Sequence, residues 1–252
     1  MSLAELVRRH DPDRFLTALF ARPEKRAALL ALYAFNHELA RAREVVSEPP
    51  LALIRLQWWR EVVEGAQRRH EVAEPLSAAI AAGELDREDL LAVIDAREAE
   101  AEPYFPSLPA WRDYVFAGAG GLMVAAGRLL DATEPESLRP LGAAYGIAGL
   151  LRSVAALARQ GRCMLPVDRL AARGLTPEQV VANPAAAGEV VRELAGVGLE
   201  LLRPVKLPRR AVAAALPAVL ARRDLRRAPT FSAQRYLGDR LAIVAAGLTG
   251  HV

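Results

Sequence analysis

The chain of 252 residues is 52% hydrophobic and 25% charged, a globular balance that excludes an intrinsically disordered protein. Its net charge of +3 is too small to demand a polyanionic partner, and the single Cys163 excludes an internal disulfide or a multi-thiolate metal site and suits a reducing compartment. Alanine, leucine and arginine dominate and no segment alternates with period two, so one all-α domain over 1–252 is expected.

Residues 1–22 read as a short amphipathic start, with Asp11 or Asp13 as N-cap and Phe15, Leu16, Leu19 and Phe20 facing inward. Pro23 opens a helix that ends near Ser47, its apolar stripe running from Leu29 through Leu32, Tyr33, Phe35 and Leu39 to Val45-Val46. Pro49-Pro50 permits a turn, and a second helix with Leu53, Leu56, Trp58 and Val62 runs to about Arg69. Two short helices divided by Ala82-Gly83 follow between 74 and 98, and Pro103, Pro106 and Pro109 mark a loop. A long helix over 110–130, with small residues at Gly118 and Gly121, precedes another over 140–159. Residues 161–175 form a turn and a short helix, and three further helices lie near 187–203, 208–225 (kinked at Pro217) and 233–248. The N-terminus carries no apolar leader-like run, and the stretch 141–158 is interrupted by Arg152 and too polar to span a bilayer. A cytoplasmic protein, soluble or peripheral to the inner membrane, is the expectation.

Asn36, His37, Glu38 and Gln57 sit among large apolar residues of the first two long helices. They read either as a buried polar network that fixes helix register or as a ligand or partner site, and the residues alone leave both open. Arg41 and Arg43 read as ion-pair partners of Glu38, Glu44 or Glu48. Trp58 and Trp59 lie about 100° apart on a helix, so both cannot face one core. An exposed Trp beside Arg55 and Arg60 is a candidate membrane or protein contact. Gly118-Ala119-Gly120-Gly121 has no preceding strand and no phosphate-loop lysine, so it reads as close helix packing. The four histidines lack metal-ligand spacing, Cys163 has no identifiable base, and the late arginines Arg209, Arg210, Arg222, Arg223, Arg226 and Arg227 read as a solvated helix face without a nucleic-acid partner.

LYAFNHELARARE at 32–44, YVFAGAGG at 114–121 and LGAAYGIAGLLRSVAALARQGRCMLP at 141–166 resemble the squalene/phytoene synthase family over roughly residues 10–205. The resemblance implies an isoprenoid-synthase-type helical bundle around a central cavity. Members of that family join isoprenoid diphosphates head to head. Two acid-rich motifs on facing helices hold Mg²⁺, a hard cation that needs carboxylate oxygens. The motif-equivalent positions here are Ala40, Arg41 and Glu44, then Ser153, Ala156 and Leu157, so Glu44 is the one acid of six retained. His37 replaces an arginine of the pattern and Met164 its GRxYLP tyrosine, while Arg152 and Arg162 persist.

The segment AFNHELARAREVVSEPPLALIRLQWWREVVE, with LPVDRLAARGLT after GRCM, is similar to the branch represented by the mitochondrial complex I assembly factor with a squalene/phytoene-synthase-like domain. This implies a non-catalytic protein with a role in assembly of respiratory complex I (NADH:quinone oxidoreductase), without metal. The alternatives are a divergent prenyl-diphosphate transferase acting on isoprenoid diphosphates with Mg²⁺, or an isoprenoid- or quinone-binding protein. Candidate ligand or partner residues are Tyr33, Asn36, His37, Glu38, Arg41, Gln57, Trp58, Arg152 and Arg162. The implied partners are a complex I subunit, an isoprenoid or other lipid, and the membrane surface.

Overall fold

The computed structural model describes residues 2–44, 49–102, 104–232 and 234–252, the side chains of Glu44 and Pro49 excepted. Among these residues the chain is helical, with no strand beyond an isolated bridge between Phe105 and Pro166. Helix α1 (Leu3–His10) starts at a Ser2–Glu5 capping box, and α2 (Pro12–Ala18) starts at Asp11, whose carboxylate accepts the Arg14 backbone N–H. Phe15, Leu16 and Phe20 are half-buried, but Leu19, expected inside, is 44% exposed. It lies just past the end of α2, where the helical face that would have turned it inward has stopped.

Helix α3 (Pro23–Glu44) is buried on every side from 28 to 36, as befits a central helix. Its expected end at Ser47 and the Val45-Val46 stretch lie outside the described residues. Helix α4 (Pro49–Glu64) stops short of the expected Arg69 because Gly65 takes φ +122°, which glycine alone adopts cheaply. Helices α5 (Ala73–Ala81) and α6 (Arg87–Glu98) follow, α6 capped by Asp86, which accepts the N–H groups of Glu88 and Asp89. One 3₁₀ turn, Ala99–Ala101, extends α6.

The expected long helix is present as α7 (Leu108–Val115), a π-helical turn Phe116–Gly120 and α8 (Gly121–Leu129), with Pro109 inside its first turn and not in a loop. Helix α9 (Arg139–Ala158) crosses the π-helical turn so closely that a Cβ on Gly142 would sit 2.5 Å from the Ala119 carbonyl oxygen. The glycine-rich stretch is therefore a packing device. By length and composition the helical stretch Pro135–Ala158 could cross a bilayer, contrary to the expectation that it is too polar. Here its apolar residues, Leu141, Ile147 and Leu151 among them, are buried in the bundle core.

Helices α10 (Val167–Ala171), α11 (Pro177–Ala182) and α12 (Gly188–Glu200) follow, and α12 packs on α9. Helix α11 was not expected, although its Thr176–Gln179 capping box is a sequence signal for it. The expected kink at Pro217 is a break: α13 (Val212–Ala215) ends and α14 (Pro217–Arg227) begins with proline in its first turn. Helix α15 (Leu237–Thr249) packs on α14 over a small apolar cluster of Val212, Leu216, Leu220, Ile243 and Ala246, beside the main core.

Candidate functional site

A cavity of about 590 Å³ lies between α2, α3, the π-helical turn, α9 and α14, within the size range of small-molecule sites. Small side chains create it: Ala40 from α3, Gly118 and Ala119 from the π-helical turn, and Gly146, Gly149 and Ser153 from α9. Leu150, Leu157, Val115 and Met164 add apolar wall. The i, i+3, i+4 and i+7 spacing of 146, 149, 150, 153 and 157 puts one face of α9 along the space.

Around this space, polar side chains form closed networks. Arg235 donates through Nη1 to both oxygens of buried Asp224, at 2.6 and 2.7 Å, and through Nε to Asp13 Oδ2 at 2.9 Å. Arg152 Nη1 donates to the same Asp224 at 3.0 Å. Burial opposes the charge on Arg235, but its bonds to Asp13 and Asp224 outweigh that and raise its pKa above the ordinary guanidinium value.

On another wall, buried Glu100 accepts from Arg97 Nη1 at 2.5 Å and from the Tyr114 hydroxyl at 2.6 Å, with Arg162 Nη2 3.9 Å from its second oxygen. Arg97 Nη2 donates in turn to Asn36 Oδ1 at 3.0 Å. Burial, then the nearby Glu100 charge, pushes the Tyr114 hydroxyl far above its usual range and keeps it a donor.

A third cluster holds Arg14 over the rings of Tyr145 and Tyr33, 4.8 and 5.7 Å from their centroids, with Asp11 at 2.8 Å. At the rim His10 and His37 stack with centroids 4.4 Å apart, and His37 Nε2 is buried with no hydrogen-bond partner. Burial, then repulsion from His10, lowers the His37 pKa, so the ring favours its neutral form.

Of the candidate and motif-equivalent residues named from the sequence, Asn36, His37, Ala40, Arg152, Ser153, Leu157, Arg162 and Met164 all line this one cavity. Asn36 serves both readings, since it also joins the Arg97 network. The others lie elsewhere. Tyr33 is buried beneath Arg14, and Glu38 is buried and pairs with Arg41 at 3.2 Å, the expected ion pair. Ala156 lies off the cavity face, Gln57 is exposed, and the side chain of Glu44 is outside the described residues. The tryptophan pair resolves differently from expectation: Trp59 is buried and Trp58 is half-buried, packed edge-on against Trp59 and His70. The exposed side of α4 is formed by Leu51, Leu53, Ile54 and Arg55.

Glu100, Asp224 and Arg235 were not found from sequence, and Asp13, read there only as a possible N-cap, lines the cavity while Asp11 caps α2. Asp13 and Arg235 are separated by 222 positions, and nothing local announces their pairing.

The motif positions facing the cavity do not fit a divalent cation: Ala40, Ser153 and Leu157 offer no carboxylate. The acids that do line it, Asp11, Asp13, Glu100 and Asp224, are each engaged by arginine. Among the described residues no three His, Cys, Asp or Glu side chains converge as a metal set. With five arginines against four acids on the lining, the cavity carries little net charge. Cys163 is buried and burial raises its pKa, the condition of an inert thiol.

A family model described as squalene/phytoene synthase matches residues 7–244. A crystal structure of a dehydrosqualene synthase in complex with ligand superposes with a TM-score of 0.70 at 14% identity, covering 98% of this chain and 94% of that one. Squalene synthase HpnC from Alicyclobacillus acidocaldarius gives 0.64 at 17% identity, covering 98% and 92%. Among curated proteins, the chain is similar to the "NADH dehydrogenase (ubiquinone) complex I, assembly factor 6 homolog" of Drosophila melanogaster, 28% identical over 70% of this chain and 57% of the relative. It is also similar to the Homo sapiens "NADH dehydrogenase (ubiquinone) complex I, assembly factor 6", 26% identical over 69% and 55%. The chain thus spans little more than half the length of these relatives.

Proposed function

Because the chain belongs to the squalene/phytoene synthase family, we propose that it is a non-catalytic member that assists assembly of the membrane NADH:quinone oxidoreductase, acting from the cytoplasmic side. The observation that carries this reading is the rewritten cavity: Ala40, Ser153 and Leu157 stand where diphosphate-bridging metal would need carboxylates, and the remaining acids are committed to arginines. Metal neutralisation of a departing diphosphate supplies several kcal/mol in such reactions, and these side chains supply no substitute. The similarity to assembly factor 6 proteins supports the direction of the change. The exposed Leu51, Leu53 and Ile54 of α4, within the segment at 34–64 whose sequence resembles that branch, are the surface we assign to a protein partner.

Deletion of the gene tests this. Assembled NADH:quinone oxidoreductase on native gels should fall while isoprenoid products stay unchanged. Normal complex with missing isoprenoids, or Mg²⁺-dependent turnover of farnesyl diphosphate by purified protein, overturns it.

The retained cavity favours a second, compatible reading, a bound neutral isoprenoid or quinone. A space of about 590 Å³ with nearly balanced charge suits an uncharged amphiphile better than a diphosphate. Extraction of purified protein and mass spectrometry should recover such a lipid in stoichiometric amount. Its absence from protein purified without detergent counts against this reading.

A further inference from the structure

Helix α15 presents a second surface that the cavity does not use. One face, Asp239, Ile243 and Ala246, is buried against the bundle. The opposite face is apolar too: Leu237, Leu241, Val244 and Leu248 are 73%, 57%, 37% and 64% exposed. At 100° and 1.5 Å per residue these four fall within about 60° of one another and form a stripe roughly 17 Å long. Tyr236, also exposed, stands at its start with the Arg227 guanidinium over its ring at 4.9 Å.

Charge indicates what covers the stripe. Residues 201–252 contain ten Lys and Arg and two Asp and Glu, whereas 1–200 contain twenty-three and twenty-eight. A chain of net charge +3 is therefore divided into a segment near −5 and a terminal segment near +8. Both acids of that segment, Asp224 and Asp239, are buried and bound by arginines, so its accessible charge is entirely positive. A groove of about 390 Å³ beside α15 is lined by Arg222, Arg223 and Arg226 of α14. Exposed Arg240 flanks the stripe on its other side. Leucines between flanking arginines are the pattern of a helix lying in a bilayer interface, with acyl chains against the stripe and lipid phosphates by the guanidinium groups. A second copy docking by two-fold symmetry would set this arginine-rich surface against itself.

We infer that α15 and the arginines of α14 form a docking surface for an anionic lipid bilayer. It stands apart from the assembly and cavity readings, and its failure would leave both in place. The test is co-sedimentation of the intact protein with vesicles of phosphatidylcholine alone and of phosphatidylcholine with phosphatidylglycerol, at low and raised salt. Binding is expected for the anionic vesicles only and should weaken with salt. The pair Arg226→Gln and Arg240→Gln should lower the partition coefficient by about thirtyfold, since each basic residue near an anionic surface contributes about fivefold. The pair Leu241→Ser and Leu248→Ser should lower it by at least about tenfold. Unchanged far-ultraviolet circular dichroism and melting show that the variants fold. Equal binding to both vesicle types, or no effect of the arginine pair, overturns the proposal. So does a concentration-dependent dimer that the leucine pair dissolves without any vesicle binding.

Discussion

Asp224 shows how much of this cavity rests on single side chains. Its two oxygens accept three hydrogen bonds from Arg152 Nη1 and Arg235 Nη1, and Arg235 then reaches Asp13. Asp224→Asn removes the charge and leaves two guanidinium groups short of a partner, a change that costs about 3 kcal/mol or more. Urea denaturation should show the loss as a lower midpoint at unchanged slope. His37 gives a pH dependence of definite sign. Its folded pKa lies below the ordinary 6.5, so as pH falls through that value the unfolded chain takes up the proton more readily and stability declines. His37→Gln should flatten the fall in melting temperature between about pH 6.5 and 5, and an unchanged slope would assign the acid sensitivity elsewhere. The polar character of Asn36, His37 and Glu38 was legible from their apolar neighbours. Which of them face a cavity was not: Asn36 and His37 line it, whereas Glu38 pairs with Arg41.

The existence of the longer helices followed from spacing, because an apolar stripe with period 3.6 survives in sequence, whereas the six-residue α11 is too short to show one. Boundaries followed where a local device fixes them, as at Ala82-Gly83, and were displaced where a backbone conformation decides, as at Gly65. Pro217 was expected to kink one helix and instead starts the next, a place proline also fills. The π-helical turn had no such signal, and it sits at a close helix crossing. A Cβ on Gly120 would lie 2.9 Å from the Arg139 carbonyl oxygen, and Gly142 faces Ala119 at the same crossing. Gly142→Ala must separate α9 from the π-helical turn, since the nearest obstacle is backbone, and should destabilise by about 1–3 kcal/mol. Because Ala119 and Gly146 also line the cavity, ligand retention should fall with stability in this variant. Gly149→Ala, whose Cβ meets nothing within 4 Å, is the control expected to leave stability nearly unchanged.

At the scale of the molecule, the fold brings Ala40 of α3 and Ser153 and Leu157 of α9 to one cavity, although the first two are 113 positions apart. If the architecture of a metal-binding pair of helices persists and only its donors have changed, returning the donors should return the metal. Ala40→Asp, Ser153→Asp and Leu157→Asp place three carboxylates around one space, where mutual repulsion and desolvation should lower the melting temperature in chelator-treated buffer. Added Mg²⁺ should then raise the melting temperature of the triple variant, since a ligand that binds only the folded state stabilises it in proportion to the logarithm of its concentration. Each single variant should respond weakly, because one carboxylate leaves most of the coordination to water. The wild-type chain should not respond, nor should a variant with Ala156→Asp in place of Leu157→Asp reach the same shift, since Ala156 lies off the cavity face. A wild-type shift equal to that of the triple variant would mean that these positions are not where the chain meets divalent metal, and that the protein keeps a metal site despite Ala40, Ser153 and Leu157.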